Sequence, residues 1–197
     1  MRIDQERLEE ALSLLGELMT ARSRAPEHFV ICGGSSLLAL ALVRRTTTRD
    51  VDILARLKDG HLVRAKPLSA EMVEDAEAVR GELNLPAGWL NTGPSDDTFF
   101  EQGFPEGLVK RVTTRSYGPA LHISFIGRYD QIHFKLYAAA DQGGGRHLQD
   151  LLELTPNAEA LLAAARWTIT QDASDGFRSV LGELLTHLGH GNLVGRL

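Results

Sequence analysis

Residues 30 to 54, VICGGSSLLALALVRRTTTRDVDIL, constrain the fold more tightly than any other stretch of the chain. Phe29 to Cys32 is a short apolar run that reads as a buried strand, and it breaks at Gly33-Gly34. Ser35 to Val43 then reads as a helix that is apolar nearly all round. Such a helix has no face to offer water, so other elements must cover it on most sides. Asp50 to Leu57 reads as the next strand. Because side chains alternate along a strand, Asp50 and Asp52 share one face while Val51 and Ile53 take the other.

The rest of the chain supplies covering layers. Leu8, Leu12, Leu15 and Met19 recur at helical spacing behind Asp4, a suitable N-cap. Asp59-Gly60 marks a hairpin with His61 to Ala65 returning. Ser69 caps a helix carrying Met72, Ala76, Val79 and Leu83, which stops before Pro86. Residues 86 to 107, rich in Gly, Pro, Asn and Asp, read as a long irregular connection, and loops of that length usually cover or line something. Val109 to Arg115 and Ala120 to Ile126 pair as a hairpin across SYGP, with Leu121, Ile123 and Phe125 alternating with His122 and Ser124. Helices follow: Ile132 to Ala140, a break at Gly143-Gly144-Gly145, Arg146 to Leu154, a third that starts at Thr155-Pro156 and runs through Trp167, and a last with Phe177, Val180, Leu181, Leu184, Leu185 and Leu188 ended by Gly189. The expectation is an α+β fold: a mixed sheet with flanking helices in residues 1–127, and a helical region, residues 128–197, packed on it.

With 197 residues the chain can bury one substantial core. A net charge of -5 argues against a whole-surface nucleic-acid binder, although Arg44, Arg45 and Arg49, and Lys110, Arg111 and Arg115, form local basic clusters. Cys32 is the only cysteine, which excludes an intrachain disulfide. No apolar run is long enough to span a bilayer. The N-terminal stretch is acidic and amphipathic rather than signal-like, so the expected location is cytoplasmic.

Two anions on one strand face raise each other's pKa unless a cation lies between them, and a hard divalent ion such as Mg2+ takes carboxylate oxygens and keeps places for water and phosphates. The plainer alternative is a solvated face, or acids neutralised by Arg45 and Arg49. The Gly33-Gly34-Ser35-Ser36 turn can bind phosphate through backbone N-H groups at a helix start, with Ser35 adding a hydroxyl. It can equally be a tight turn with Ser35 as N-cap. No Gly-Lys-Ser/Thr follows, so it is not a Walker A loop.

Strand, GGSS, helix and RDVDIL together resemble the DNA polymerase beta-like nucleotidyltransferase superfamily, whose signature is a Gly-Ser turn followed by a paired-acid strand. FKLYAAADQGGGRHLQDLLEL is similar to a segment of the abortive-infection type nucleotidyltransferase toxins and their uncharacterised relatives. The resemblance covers residues 28 to about 55 and 129 to 155. It implies a nucleotidyltransferase fold and catalytic roles for Asp50, Asp52, Lys135 and Asp150. It further implies nucleotide binding by Gly33, Gly34, Ser35 and Lys135, and Mg2+ (or Mn2+) held by Asp50 and Asp52. The implied reaction moves a nucleoside monophosphate from an NTP to a hydroxyl of tRNA or protein, by a toxin with a possible antitoxin partner. A small-molecule (antibiotic) transferase and a non-catalytic nucleotide-binding or interaction module are the alternatives. Read without the family, Lys135 is a lysine on an amphipathic helix and Asp150 an i,i+4 partner of Arg146. One departure is visible: the superfamily commonly adds a third carboxylate on a later strand, where LHISF offers His122 and Ser124, with Asp130 in the turn that follows. His187 and His190 read as a solvated helix end, and Trp89 and Trp167 as core or lid packing.

Overall fold

The computed structural model describes residues 2–95 and 97–197. In chain order the elements are β1 (Ile3–Asp4), α1 (Gln5–Ala21), β2 (Glu27–Cys32), α2 (Gly33–Ala39), β3 (Thr47–Thr48), β4 (Val51–Lys58), β5 (His61–Val63), α3 (Ala70–Glu82) and β6 (Leu90–Asn91). They continue with α4 (Asp97–Gln102), α5 (Leu108–Arg111), β7 (Thr113–Ser116), β8 (Leu121–Phe125), α6 (Arg128–Asp141), α7 (Gly145–Glu153), α8 (Ala158–Gln171) and α9 (Asp175–His187), and end in a 3-10 turn, Gly191–Arg196.

Local signals set the helix starts. The Asp4 carboxylate accepts from the Arg7 N-H at 2.9 Å, and the Ser69 hydroxyl accepts from Met72 N-H at 3.1 Å. The main sheet runs β5-β4-β2-β8-β7, with β6 beside β4. It is mixed: β2 runs parallel to β8, and β4 parallel to β6, while the other neighbours are antiparallel. The architecture is therefore α+β, a mixed sheet between helices.

Alternation along β2 assigns its two faces. Phe29 and Ile31 join Leu8, Leu12, Leu15 and Met19 of α1 and Met72, Ala76 and Val79 of α3 in one apolar cluster. Val30 and Cys32 face the other way, onto Phe99, Leu108 and Ile126, with Phe134, Tyr137 and Trp167 packed against them. A further cluster holds α6 to α9 together and includes Leu37 of α2. Helix α2 thus lies between two cores, with every residue from Gly34 to Ala39 buried, as a helix apolar on all sides requires.

Several boundaries differ from the sequence expectation. Helix α2 ends at Ala39 rather than Val43, because Ala41 turns left-handed (φ 50°) and Leu42 N-H closes back on Leu37 O at 2.9 Å. Residues 108–111 form a helical turn, not a strand. Gly107 at φ 74° precedes that turn and Lys110 N-H bonds its carbonyl, so only Thr113–Ser116 is left to pair with β8. Thr155 sits at φ 42° with its hydroxyl accepting from Arg128, and Asn157 is the residue that caps α8. Strand β4 begins at Val51, which leaves Asp50 just ahead of it.

Candidate functional site

The turn between β2 and α2 is where strand ends, helices and loops converge. Cys32 and Asp52 are antiparallel partners, so the chain leaving β2 passes directly beside the Asp52 side chain. Gly33 adopts φ 64°, and a β-carbon there would stand 2.6 Å from Asp52 Oδ2. At Gly34 a β-carbon would meet Thr48 Oγ1 at 2.5 Å, Arg146 Nη2 at 3.0 Å and Arg45 Nη2 at 3.1 Å. Only glycines allow the backbone this close to a carboxylate on one side and to two guanidinium groups on the other. A cleft of about 450 Å3 opens from the turn, and Gly33, Gly34, Asp50, Asp52 and Lys135 all line it.

The two acids differ in environment. Burial, and then the neighbouring Asp50, push the Asp52 carboxyl above its ordinary value, while the Asn91 hydrogen bond, Lys135 and Arg146 pull the other way. Asn91 stands opposite Asp52 on β6 and its amide donates to Asp52 Oδ1 at 3.1 Å. An anion disfavoured by burial and by a second anion, on the wall of an open cleft, suits a hard divalent cation, so these two residues fit Mg2+ as carboxylate ligands. No third acid joins them: among the described residues there is no group of three His, Cys, Asp or Glu that could hold a metal.

The sequence candidates for that third place are engaged elsewhere. Ser124 Oγ lies 2.7 Å from both His28 Nε2 and Thr114 Oγ1, and His122 Nδ1 lies 2.9 Å from Ser116 Oγ. Asp130 is buried in the first turn of α6 and accepts from Arg111 at 2.7 and 3.1 Å. Members of the basic clusters are also paired: Arg115 bonds Glu9 and the Ala39 carbonyl, and Arg45 pairs with Asp150.

Helices α6 and α7 bring Lys135 and Asp150 together. Lys135 Nζ is 2.7 Å from Asp150 Oδ2, and Arg45 Nη1 is 3.0 Å from Asp150 Oδ1. Lys135 lines the cleft, but Asp150 sits behind it, buried, so it is placed to orient Lys135 rather than to touch a ligand. Its ion pairs reach across to α6 and to the segment after α2, not one turn along its own helix to Arg146. Ser35 is also placed differently from the expectation: it is fully buried, and its hydroxyl donates to Cys32 O at 3.2 Å instead of facing the cleft. The Gln131 amide takes a supporting role, donating to Gly33 O at 3.2 Å. Burial, reinforced by Asp52, pushes the Cys32 thiol well above its usual range and leaves it inert as a nucleophile.

Residues 86 to 107 do line the cleft, through Asn91, Gly93, Pro94, Thr98 and Phe99. Phe99 stacks on Trp167 at 5.9 Å and meets the edges of Phe134 and Tyr137 at 5.4 and 5.6 Å. One wall is therefore aromatic, opposite the polar turn. The indole N-H groups of Trp89 and Trp167 donate to Ala76 O and Gly103 O, which makes both packing residues. His187 is exposed at the end of α9. Sequence reasoning missed Asn91, hidden in an apparent loop, and Arg146 and His147, which share the α7 face with Asp150 and line the cleft. Burial and then Lys135 lower the pKa of His147 below the ordinary imidazole value. No helix among the described residues is long and apolar enough to cross a membrane. No protein-family model matches the chain, and no curated protein or solved structure shows significant similarity to it.

Proposed function

We propose that this cleft binds a nucleoside triphosphate with Mg2+ (or Mn2+) and transfers the nucleoside monophosphate to a hydroxyl of tRNA or protein, on a nucleotidyltransferase fold. The observation that carries the reading is convergence: residues 33, 34, 50, 52 and 135, far apart in sequence, line one cleft. Asp50 and Asp52 are the residues that would hold the cation. When bound, it supplies Lewis-acid polarisation of phosphoryl oxygens. Backbone groups of Gly33 and Gly34 approach the phosphates without a side chain in the way, and Gln131 fixes that turn. Lys135, held by Asp150, sets a positive charge beside them. The aromatic wall of Phe99, Phe134 and Tyr137 excludes water from one side of the nucleotide. Pyrophosphate leaves as the acceptor oxygen bonds to the α-phosphorus and its proton passes to solvent.

The biological role in keeping with this chemistry is a cytoplasmic toxin restrained by an antitoxin protein. A second reading, a nucleotide-binding module without transfer activity, is favoured by Asn91, an amide standing next to Asp52 with no third acid grouped there among the described residues. Incubating the protein with each labelled NTP, total tRNA and candidate proteins tests the first reading. Label should be incorporated by the wild type and lost in Asp50→Ala with Asp52→Ala. Incorporation that survives the double substitution removes these acids from the mechanism.

A further inference from the structure

The cations around Gly34 are not equivalent. Lys135 is only 6% exposed and its ammonium is committed to Asp150 at 2.7 Å. Arg45 is committed to the same carboxylate, through Nη1 at 3.0 Å and Nη2 at 3.2 Å. Arg146 lines the cleft with an exposed side chain, and its Nη2 stands 3.0 Å from the place a Gly34 β-carbon would occupy. Among the described residues it takes part in no hydrogen bond or ion pair.

Asp52 feels Arg146 electrostatically, yet the two form no ion pair, and the donors of the guanidinium are not used by that acid. Beside it His147 is half-buried, with Nδ1 enclosed and unpartnered. The chain reaches Arg146 through Gly143 at φ 82° and Gly145 at φ 46°, conformations that turn the start of α7 back toward the cleft. Two guanidinium groups flank the Gly34 backbone; Arg45 is engaged by the carboxylate that also holds Lys135, and Arg146 is a planar fork of five donors open to the cleft. That geometry matches phosphate oxygens taken two at a time.

We propose that Arg146 is the clamp for the terminal phosphates of a polyphosphate ligand, closing over the Gly34 turn, while Lys135 is a preset charge behind it. The identity of the whole ligand rests on the nucleotide reading above; the anion site itself does not. The ordering of the two cations reverses the expectation from sequence, in which Lys135 is the phosphate residue.

The test is calorimetric titration of the full chain with sodium tripolyphosphate at fixed ionic strength, for the wild type, Arg146→Gln and Arg146→Lys. Arg146 is exposed, so thermal unfolding of the variants should match the wild type and verify that folding is intact. Saturable wild-type binding is expected, weakened at least tenfold in Arg146→Gln. Arg146→Lys should fall in between, because a point charge cannot grip two oxygens. The salt dependence of binding should also become shallower when the contact is removed. Equal affinity of Arg146→Gln and wild type, or no wild-type binding of tripolyphosphate, overturns the proposal. Arg146-dependent tripolyphosphate binding in a protein that labels no acceptor upholds the anion site and counts against transfer. Acceptor labelling together with an unaffected Arg146→Gln does the reverse.

Discussion

Asp150→Asn is the substitution whose consequence follows most directly from the structure. The amide keeps the shape of the side chain but removes the charge shared by Lys135 and Arg45, at side-chain exposures of 7% for Lys135 and 17% for Arg45. Breaking a buried ion pair by neutralising one partner costs about 3–5 kcal/mol, because the remaining charge stays in a poor solvent. Arg45 reaches water and can relax, and Lys135 borders an open cleft, so the low end, about 3 kcal/mol, is the expected loss. For a chain of this length 1 kcal/mol moves the midpoint by about 2–4 °C, giving a fall of about 6–12 °C. Replacing both partners, Lys135→Met with Asp150→Leu, should recover most of the loss, since no buried charge of the pair is then left alone. Urea unfolding followed by circular dichroism measures both. A loss below about 1 kcal/mol for Asp150→Asn, or a double variant less stable than the single one, would show that Asp150 does not organise this cluster.

Two more outcomes can be measured on the same protein. Gly33→Ala places a β-carbon at φ 64° and 2.6 Å from Asp52 Oδ2, so it should cost about 1–3 kcal/mol and displace that carboxylate, erasing any Mg2+-induced rise in midpoint; an unchanged Mg2+ response would contradict this. Asp52 has a native pKa above its ordinary 3.8, so the folded state binds its proton more tightly than the unfolded one. Its contribution to stability therefore falls as pH rises from the ordinary carboxylate value through the native one, and the penalty is complete above it. In EDTA, Asp52→Asn should melt higher than the wild type at neutral pH and lack this part of the pH dependence. A lower midpoint would show that the ionised form is favoured by folding.

The layout of the fold was legible wherever local pattern and tertiary demand agree. The run from Val30 to Leu54 reads as a strand, a covered helix and a second strand, and the structure buries Leu37, Leu38 and Ala39 while Asp52 lines the cleft. Boundaries were less legible where one backbone angle decides them: Ala41, Gly107 and Thr155 each end or divert an element through a positive φ that neighbouring residue types do not announce. In the site, the Gly33-Gly34 turn and the Asp50/Asp52 pair could be read from local pattern, whereas Lys135 joined them only through the family resemblance, and all five line one cleft. The direction of the Ser35 hydroxyl could not, since a turn serine can bond its own strand end as easily as a ligand. Asn91 stayed hidden because a two-residue strand inside a Gly- and Pro-rich stretch leaves no periodic trace. Arg146 was legible only as a partner for Asp150 one turn along the helix, because the glycine it faces is distant in sequence.

The proposed function requires that Asp50 and Asp52 make this cleft a site for a metal-bound nucleotide. Calorimetric titration of the wild type and of Asp50→Asn with Asp52→Asn, each with four NTPs in the presence and absence of Mg2+, tests it most directly. Saturable, Mg2+-dependent binding of at least one NTP to the wild type is expected, with its loss in the double variant. No binding by the wild type, or equal binding by both proteins, would contradict it.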